Sequence, residues 1–458
     1  MELDEIKSVY FIGAGGIGMS ALERYFLSKG VAVGGYDRVS TSLTRVLEKE
    51  GAQIHYEDNP GLIAKCFLDK TNTLVVYTPA IPADHKELNF FKSEGFELQK
   101  RAQVLGTISR SYKSLCVAGT HGKTTTSTML AHLLEQSRVK CSAFLGGISK
   151  NYQTNYLFDE KSCYVVIEAD EFDRSFHQLT PWATVITATD ADHLDIYGTE
   201  EAYLESFRKY TTLIKPGGAL IMHKGLKMKQ DAPAGVDVYT YGREEGDFHA
   251  GNIRIGGGRI VFDYISPLGN IENVTLGVPV SINIENGIAA LALAQLAGAE
   301  ADELRSAMSS FEGVVRRFDF KVKNDRHVVL SDYAHHPEEI RRSAESLKEV
   351  FDGRKITAIF QPHLYSRTRD FYREFAESLS LFDEVVLTEI YPARELPIEG
   401  VDSNLIFNNL KPGLEKYMVS KDSVTDFVAT HPTDVLVILG AGDLDNYTQR
   451  IADIVSKN

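Results

Sequence analysis

Short apolar runs alternate with helical stretches through the first hundred residues: SVYFIG at 8–13, MSALERYFLSKG at 19–30, VAVGGYD at 31–37, LTRVLEKEG at 43–51, TLVVYTPA at 73–80 and HKELNFFKSEG at 85–95. Continuous apolar runs read as strands buried on both faces, and such alternation predicts a parallel sheet with helices on its faces. A second unit of this kind opens with SLCVAG at Ser114 and continues through CYVVIEAD and ATVITATD. Each run ends in polar residues, where a parallel strand delivers its functional groups. From about Phe248 to Pro279 the pattern changes to period two, broken by turn sequences GGGR at 256–259 and SPLGN at 266–270, which predicts a small antiparallel appendage. Helical periodicity returns at 286–298 and 302–311. After GVVRRFD the alternation resumes with HVVLSDY, PEEIRRSAESLKEVF, KITAIFQP, RDFYREFAESLSLF, DEVVLTEIYP and DVLVILGAG.

The pattern therefore predicts an α/β protein of three domains. A Rossmann-like unit covers 1–108, a central phosphate-loop unit with the antiparallel appendage covers 109–314, and a second Rossmann-like unit covers 315–458. A length of 458 residues agrees, being too great for one ordinary core. With 43% hydrophobic and 24% charged residues, and no apolar run of about 18 residues, the composition is that of a soluble globular chain. The acidic start MELDEIKSVYFIGAGG lacks the basic flank of a signal peptide, so the expected location is the cytoplasm. A formal charge of 49 minus 63, or −14, argues against broad attraction to nucleic acid or anionic lipid, and any phosphate is expected to be held locally. Four scattered cysteines with no CxxC pairing predict neither a disulfide framework nor structural zinc.

Candidate chemistry begins after the first strand, where Gly13, Gly15 and Gly18 have the G-x-G-x-x-G spacing and Asp37 closes the next strand. Such glycines let the backbone approach a diphosphate facing a helix N-terminus. Alone, the motif points to a nicotinamide-dependent oxidoreductase, and its spacing does not separate NAD from another diphosphate ligand such as a UDP-sugar. The second motif decides more. The strand SLCVAG runs into Gly119-Thr120-His121-Gly122-Lys123-Thr124-Thr125 and then a helical stretch. Loop N–H groups cradle phosphates, Lys123 supplies a point charge, and Thr124 offers a hydroxyl to Mg²⁺. Only two residues separate Gly119 from Gly122, which is shorter than the common phosphate-loop spacing. Glu168 ends a neighbouring strand where it could bind the same metal, and His193 lies within DADHLD, a run of hard oxygens with one imidazole. In the third unit DYAHHP and QPHLYSRTR each follow a strand, and Arg316 and Arg317 precede both. If those strands are adjacent and parallel, their ends concentrate cations suited to carboxylate and phosphate.

FIGAGGIGMS, YTPAIP, KRAQVL, AGTHGKTTT, EADEFDRSF, DADHLD, RRFDF, DYAHHP and FQPHLYSRTRD follow one another along the chain, which resembles the Mur ligase family over nearly its whole length. The resemblance implies an ATP-dependent ligase of peptidoglycan synthesis. It would join L-alanine to the lactyl carboxylate of UDP-N-acetylmuramate through an acyl phosphate, giving UDP-N-acetylmuramoyl-L-alanine, ADP and phosphate. It implies a UDP-sugar site at Gly13, Ala14, Gly15, Gly16, Ile17, Gly18, Asp37, Thr78, Ala80, Arg101, Ser175 and Phe176. It implies ATP contacts at Gly119 through Thr125 and at Arg317, with Asn283 and Asn286 near adenine and Asp332 at the ribose. Thr124, Glu168 and His193 would hold Mg²⁺, while Tyr333, His335, Arg367 and Arg369 would surround the reacting carboxyl and alanine. Lys123, Glu168, His193, His335 and Arg367 would carry the chemistry. The implied partners are three small molecules, with no nucleic acid and no membrane, for a chain acting as a monomer or weak homodimer. The chain departs from the family pattern at Ala188 and Ile282, where Asn and His are frequent.

Overall fold

The computed structural model describes residues 3–78, 81–393 and 395–457; Ala80, expected at the sugar site, lies outside them. Among the described residues, strands Ser8–Ile12, Ala32–Tyr36, Gln53–His55, Thr73–Tyr77 and Glu97–Lys100 form a five-stranded, wholly parallel sheet. In chain order its strands run third, second, first, fourth, fifth, the doubly wound Rossmann order without its sixth strand. Alternate residues of the first strand enter different cores. Val9 and Phe11 join one cluster, Tyr10 and Ile12 another, so both faces are covered, as the unbroken apolar run required. The polar end of buried Tyr10 donates to Glu87 Oε2 at 2.7 Å, which satisfies a hydroxyl that would otherwise be costly to bury.

The phosphate-loop strand Lys113–Ala118 lies fourth in a seven-stranded sheet, between Ala183–Ile186 and Tyr164–Glu168, to both of which it runs parallel. The pair Ser142–Ser149 and Thr154–Leu157, antiparallel to each other, ends the sheet on the Glu168 side. A three-stranded sheet, His249–Gly256, Arg259–Ile265 and Ile271–Thr275, is the expected appendage. Its first two strands are neighbours separated by two residues, a connection only antiparallel strands can make.

The last sheet has six strands, five of them parallel. Asp319–Lys323 forms its antiparallel edge, paired with Val328–Asp332, an element too short and too polar on one face to stand out in the sequence. Val435–Leu439, the last strand in sequence, sits between Val328–Asp332 and Ile356–Phe360. By compactness the chain forms two units. One comprises Met1–Gly251, Tyr264–Ile271 and Asn286–Ser310, and the other Asn252–Asp263, Glu272–Glu285 and Phe311–Asn458. No helix among the described residues is long and apolar enough to cross a membrane.

Within the first unit, helix Ile17–Ser28 of the five-stranded sheet is anchored on the seven-stranded one. Tyr25 packs against Phe144 and Tyr156 with ring centroids 5.7 and 6.3 Å away. Buried Asn155 donates to Ile17 O at 2.6 Å and Ser20 Oγ at 3.0 Å, and accepts from Arg24. Aromatic packing and a satisfied buried polar set fix one arrangement, so the helix after the glycine loop is held against the phosphate-loop domain.

Candidate active site

Parallel register determines what meets at the phosphate loop. Glu168 is the partner of Val117, and Ile186 the partner of Ala118, so the polar residues after both neighbouring strands flank the loop that follows Ala118. Gly119 has φ +130°, and an added Cβ would lie 2.2 Å from Thr187 Oγ1. Gly122 has φ +81° and caps helix Lys123–Glu135, with an added Cβ 2.8 Å from Asn286 Oδ1. Both positions demand glycine for conformation and for space. Thr120 is fixed by Asp190 O and Tyr203 Oη, each at 2.8 Å, and His121 Nε2 lies 3.9 Å from Asp190 Oδ2.

The helix start places Thr124 beside Glu168. Thr124 Oγ1 donates to Glu168 Oε1 at 2.9 Å, and Gly146 N and Ser127 Oγ donate to Oε2 at 3.0 and 3.4 Å. A hydroxyl and a carboxylate so close are hard oxygen donors of the kind Mg²⁺ takes, with phosphate and water completing its shell. His193 is not part of that hydrogen-bonded set. It adopts φ +53°, stands 3.7 Å from Asp192 Oδ2 and meets the Phe172 ring edge-on at 5.1 Å. Asn286 is buried and accepts from Thr126 Oγ1 at 3.2 Å; Asn283, also buried, donates to Val278 O at 3.1 Å.

Lys123 points into a compact cage. Its ammonium donates to Gly119 O at 2.6 Å, Thr120 O at 3.3 Å and Glu171 Oε1 at 2.9 Å. Burial opposes the charge, but the surrounding acids, Glu171 foremost and then Glu168 and Asp170, together raise the lysine pKa. Nothing in the spacing of EADEFDRSF singles out Glu171 for this contact.

Gly16, Ile17, Gly18, Thr78 and Arg101 line a cavity of about 300 Å³ that also touches Gly146, Glu168 and Asp170. Five of the expected sugar-site residues and the expected metal ligand Glu168 thus share one cavity. Arg101 donates to Asp170 Oδ2 at 3.2 Å. Asp37, at the end of the neighbouring strand, reaches the glycine loop, accepting from Gly15 N at 2.7 Å and bracing the turn. Ser175 and Phe176 both line an adjoining recess, the Phe176 ring buried and stacked on Tyr210 at 4.7 Å.

In the second unit, the strands ahead of DYAHHP and FQPHLYSRTRD are not adjacent, contrary to expectation, because Val435–Leu439 lies between them. All three are parallel, so the two motifs still leave the same edge of the sheet. Tyr333 carries the Arg316 and Arg317 guanidinium groups 4.8 and 4.9 Å from its ring centroid. His335 packs edge-on to Tyr333 at 5.2 Å and to His363 at 6.0 Å. Its Nδ1 lies 3.0 Å from Tyr333 O, and burial lowers its pKa. Asp332 is 5% exposed, accepts from Ser343 Oγ, and has its pKa raised by burial.

Arg367 and Arg369 separate. Both lie in helix Tyr365–Leu379, where residues two apart do not share a face. Arg369 is exposed and pairs with Asp370 at 2.7 Å, so it is not brought into the histidine cluster as expected. Arg367 Nη1, by contrast, is buried and has no hydrogen-bond partner among the described residues. An unpaired buried N–H is costly unless an anion completes it. His363, unassigned from sequence, stacks on Tyr391 at 5.7 Å.

Burial, then His335 and Arg367, push His363 down to about 4. The unfolded chain takes up a proton that folded His363 refuses, so stability contributed above the unfolded value is lost as pH falls from about 6.5 towards 4. Thermal melts from pH 7 to pH 4 are therefore expected to show a shallower pH slope for His363→Gln than for the wild type. Equal slopes would remove His363 from the acid response.

Residues 8–113 match the Mur ligase family catalytic domain, 117–294 the Mur ligase middle domain, and 316–442 the Mur ligase glutamate ligase domain. The chain is 63% identical to UDP-N-acetylmuramate–L-alanine ligase of Phocaeicola vulgatus, covering 100% of each chain. It is 55% identical to the enzyme of that name from Parabacteroides distasonis, over 100% of this chain and 99% of the relative. Among solved structures, UDP-N-acetylmuramate–alanine ligase of Thermotoga maritima superposes with a TM-score of 0.82 at 28% identity, covering 98% of this chain and 99% of that one. Full-length similarity at this identity, matched domain by domain, means that the chain belongs to the Mur ligase family.

Proposed function

We propose that this protein is the ATP-dependent ligase that joins L-alanine to the lactyl carboxylate of UDP-N-acetylmuramate, in the cytoplasm and as a step of peptidoglycan synthesis. The observation that carries the reading is the cavity in which Gly16–Gly18 and Arg101 meet Glu168, itself bonded to Thr124 of the phosphate loop. A carboxylate-bearing nucleotide sugar bound there would bring its acid towards the triphosphate. In this reading residues 1–108 hold the UDP-sugar, 109–314 hold ATP, and 315–458 hold alanine.

A carboxylate and an amine do not condense unaided in neutral water, so the acid must be activated. A lactyl carboxylate oxygen attacks the γ-phosphorus, the bond from that phosphorus to the β–γ bridging oxygen breaks, and ADP leaves. The nitrogen of neutral alanine then attacks the acyl carbon, gives up a proton, and inorganic phosphate departs. Thr124 and Glu168 would hold Mg²⁺, which would offset charge on the phosphates. Lys123 and the N–H groups of the loop act on the same charge, so catalysis there is positioning and electrostatics. His335, kept neutral by burial, would meet the alanine, and the unpaired Arg367 N–H would meet a carboxyl or acyl phosphate oxygen.

The test is phosphate release from ATP, screened against all amino acids with and without UDP-N-acetylmuramate. Release is expected only with both the sugar nucleotide and L-alanine. Comparable turnover without the sugar would refute the assignment.

A further inference from the structure

The Lys123 ammonium has three N–H donors, and its surroundings supply three acceptors: Gly119 O, Thr120 O and the Glu171 carboxylate. It therefore has no free donor for a phosphate. The two carbonyls belong to the loop that would cradle the ligand, whereas Glu171 comes from a separate segment and is the anion of the set. Glu171 is 1% exposed and the Lys123 side chain 14%. Its carboxylate lies 2.8 Å from Nζ through Oε2 and 2.9 Å through Oε1. Tyr197 Oη bonds its main-chain oxygen, so the segment is anchored.

We propose that Glu171 is a positioning residue for the nucleotide, its carboxylate holding the Lys123 ammonium in the free protein until the terminal phosphates of ATP displace it. The proposal rests on the nucleotide reading of the phosphate loop. It follows from competition between two anions for one buried cation. While Glu171 is bonded, Lys123 is neither left unpaired nor allowed to swing away; when phosphate takes the ammonium, the carboxylate loses its partner in a place that resists charge. Burial, against the pull of Lys123, already pushes the Glu171 carboxyl up to about 7. Displacement thus subtracts from nucleotide affinity and favours release after turnover, when the γ-phosphoryl group has gone.

Glu171→Gln removes the competing charge and leaves Lys123 in the free protein with a weaker partner. Both effects favour the phosphate-bound state. Calorimetric titration of the full chain with ATP is expected to give a dissociation constant lower by on the order of tenfold. KM for ATP should fall with it while kcat does not rise. A purely structural Glu171 predicts the opposite, lower thermal stability with unchanged or weaker binding. Glu171→Asp keeps the charge but withdraws it by one methylene, and should tighten binding by about threefold. This second variant gives the answer if the first does not fold. Wild-type protein that binds no ATP overturns the nucleotide reading and this proposal together. Wild type that binds ATP, with neither variant binding it more tightly, overturns the proposal alone.

Discussion

Lys123→Ala is expected to lower phosphate release by about 10³-fold, because in the proposed function it removes a cation of the phosphate loop that would take the transferring group inside a low-dielectric cage once ATP displaces Glu171. Glu168→Gln should cost about 10²-fold or more, since an amide cannot replace an anionic metal ligand beside Thr124. Single-turnover phosphate release with saturating UDP-N-acetylmuramate and L-alanine measures both. Near-normal rates in either variant would remove that residue from phosphoryl transfer. Lys123→Ala also leaves Glu171 buried without its counter-charge, which costs about 3–5 kcal/mol of stability at alkaline pH. The sign of its pH dependence is determined. A carboxyl whose folded pKa is raised above its unfolded value contributes most below the unfolded value, and that contribution is lost as pH rises through the folded one. The variant should therefore recover part of its melting temperature at pH 6 relative to pH 8, which separates a folding defect from a catalytic one.

His335→Ala should separate the two chemical steps. His335 touches Tyr333 and His363 at one edge of the last sheet, and burial lowers its pKa, so in the proposed function a neutral imidazole would face the amine. Its loss should leave acyl phosphate formation intact while amide formation falls by about 10²-fold or more. Acyl phosphate formation is read as scrambling of isotope from the bridging to the nonbridging β–γ oxygens of ATP. Arg367→Ala should impair both steps, because its buried, unpaired Nη1 can complete a carboxyl or acyl phosphate oxygen in either. If His335→Ala abolishes scrambling as fully as Lys123→Ala does, His335 belongs with phosphoryl transfer and the division of labour fails.

The alternation of apolar runs with helical periodicity by itself determined the α/β class, the parallel sheets and the antiparallel appendage. A strand buried on both faces has to be apolar throughout, and one with a wet face has to alternate, so burial is written locally. Gly119 and Gly122 were legible for the same local reason, their backbone and packing allowing no side chain. Thr124 and Glu168 could be nominated because each ends or follows an apolar run, although nothing local states that their oxygens lie 2.9 Å apart. That distance depends on which strands are neighbours, as does the insertion of Val435–Leu439 between the strands leading to His335 and His363. Strand order is a long-range property, set by which faces bury best, and no local pattern encodes it. Tertiary structure alone likewise parted Arg367 from Arg369, through the start of their helix at Tyr365, and delivered Glu171 to Lys123 across 48 residues. Nothing local distinguishes Glu171 from the other acids of EADEFDRSF. Only packing could bury it, and only burial makes its pairing with the phosphate-loop lysine consequential.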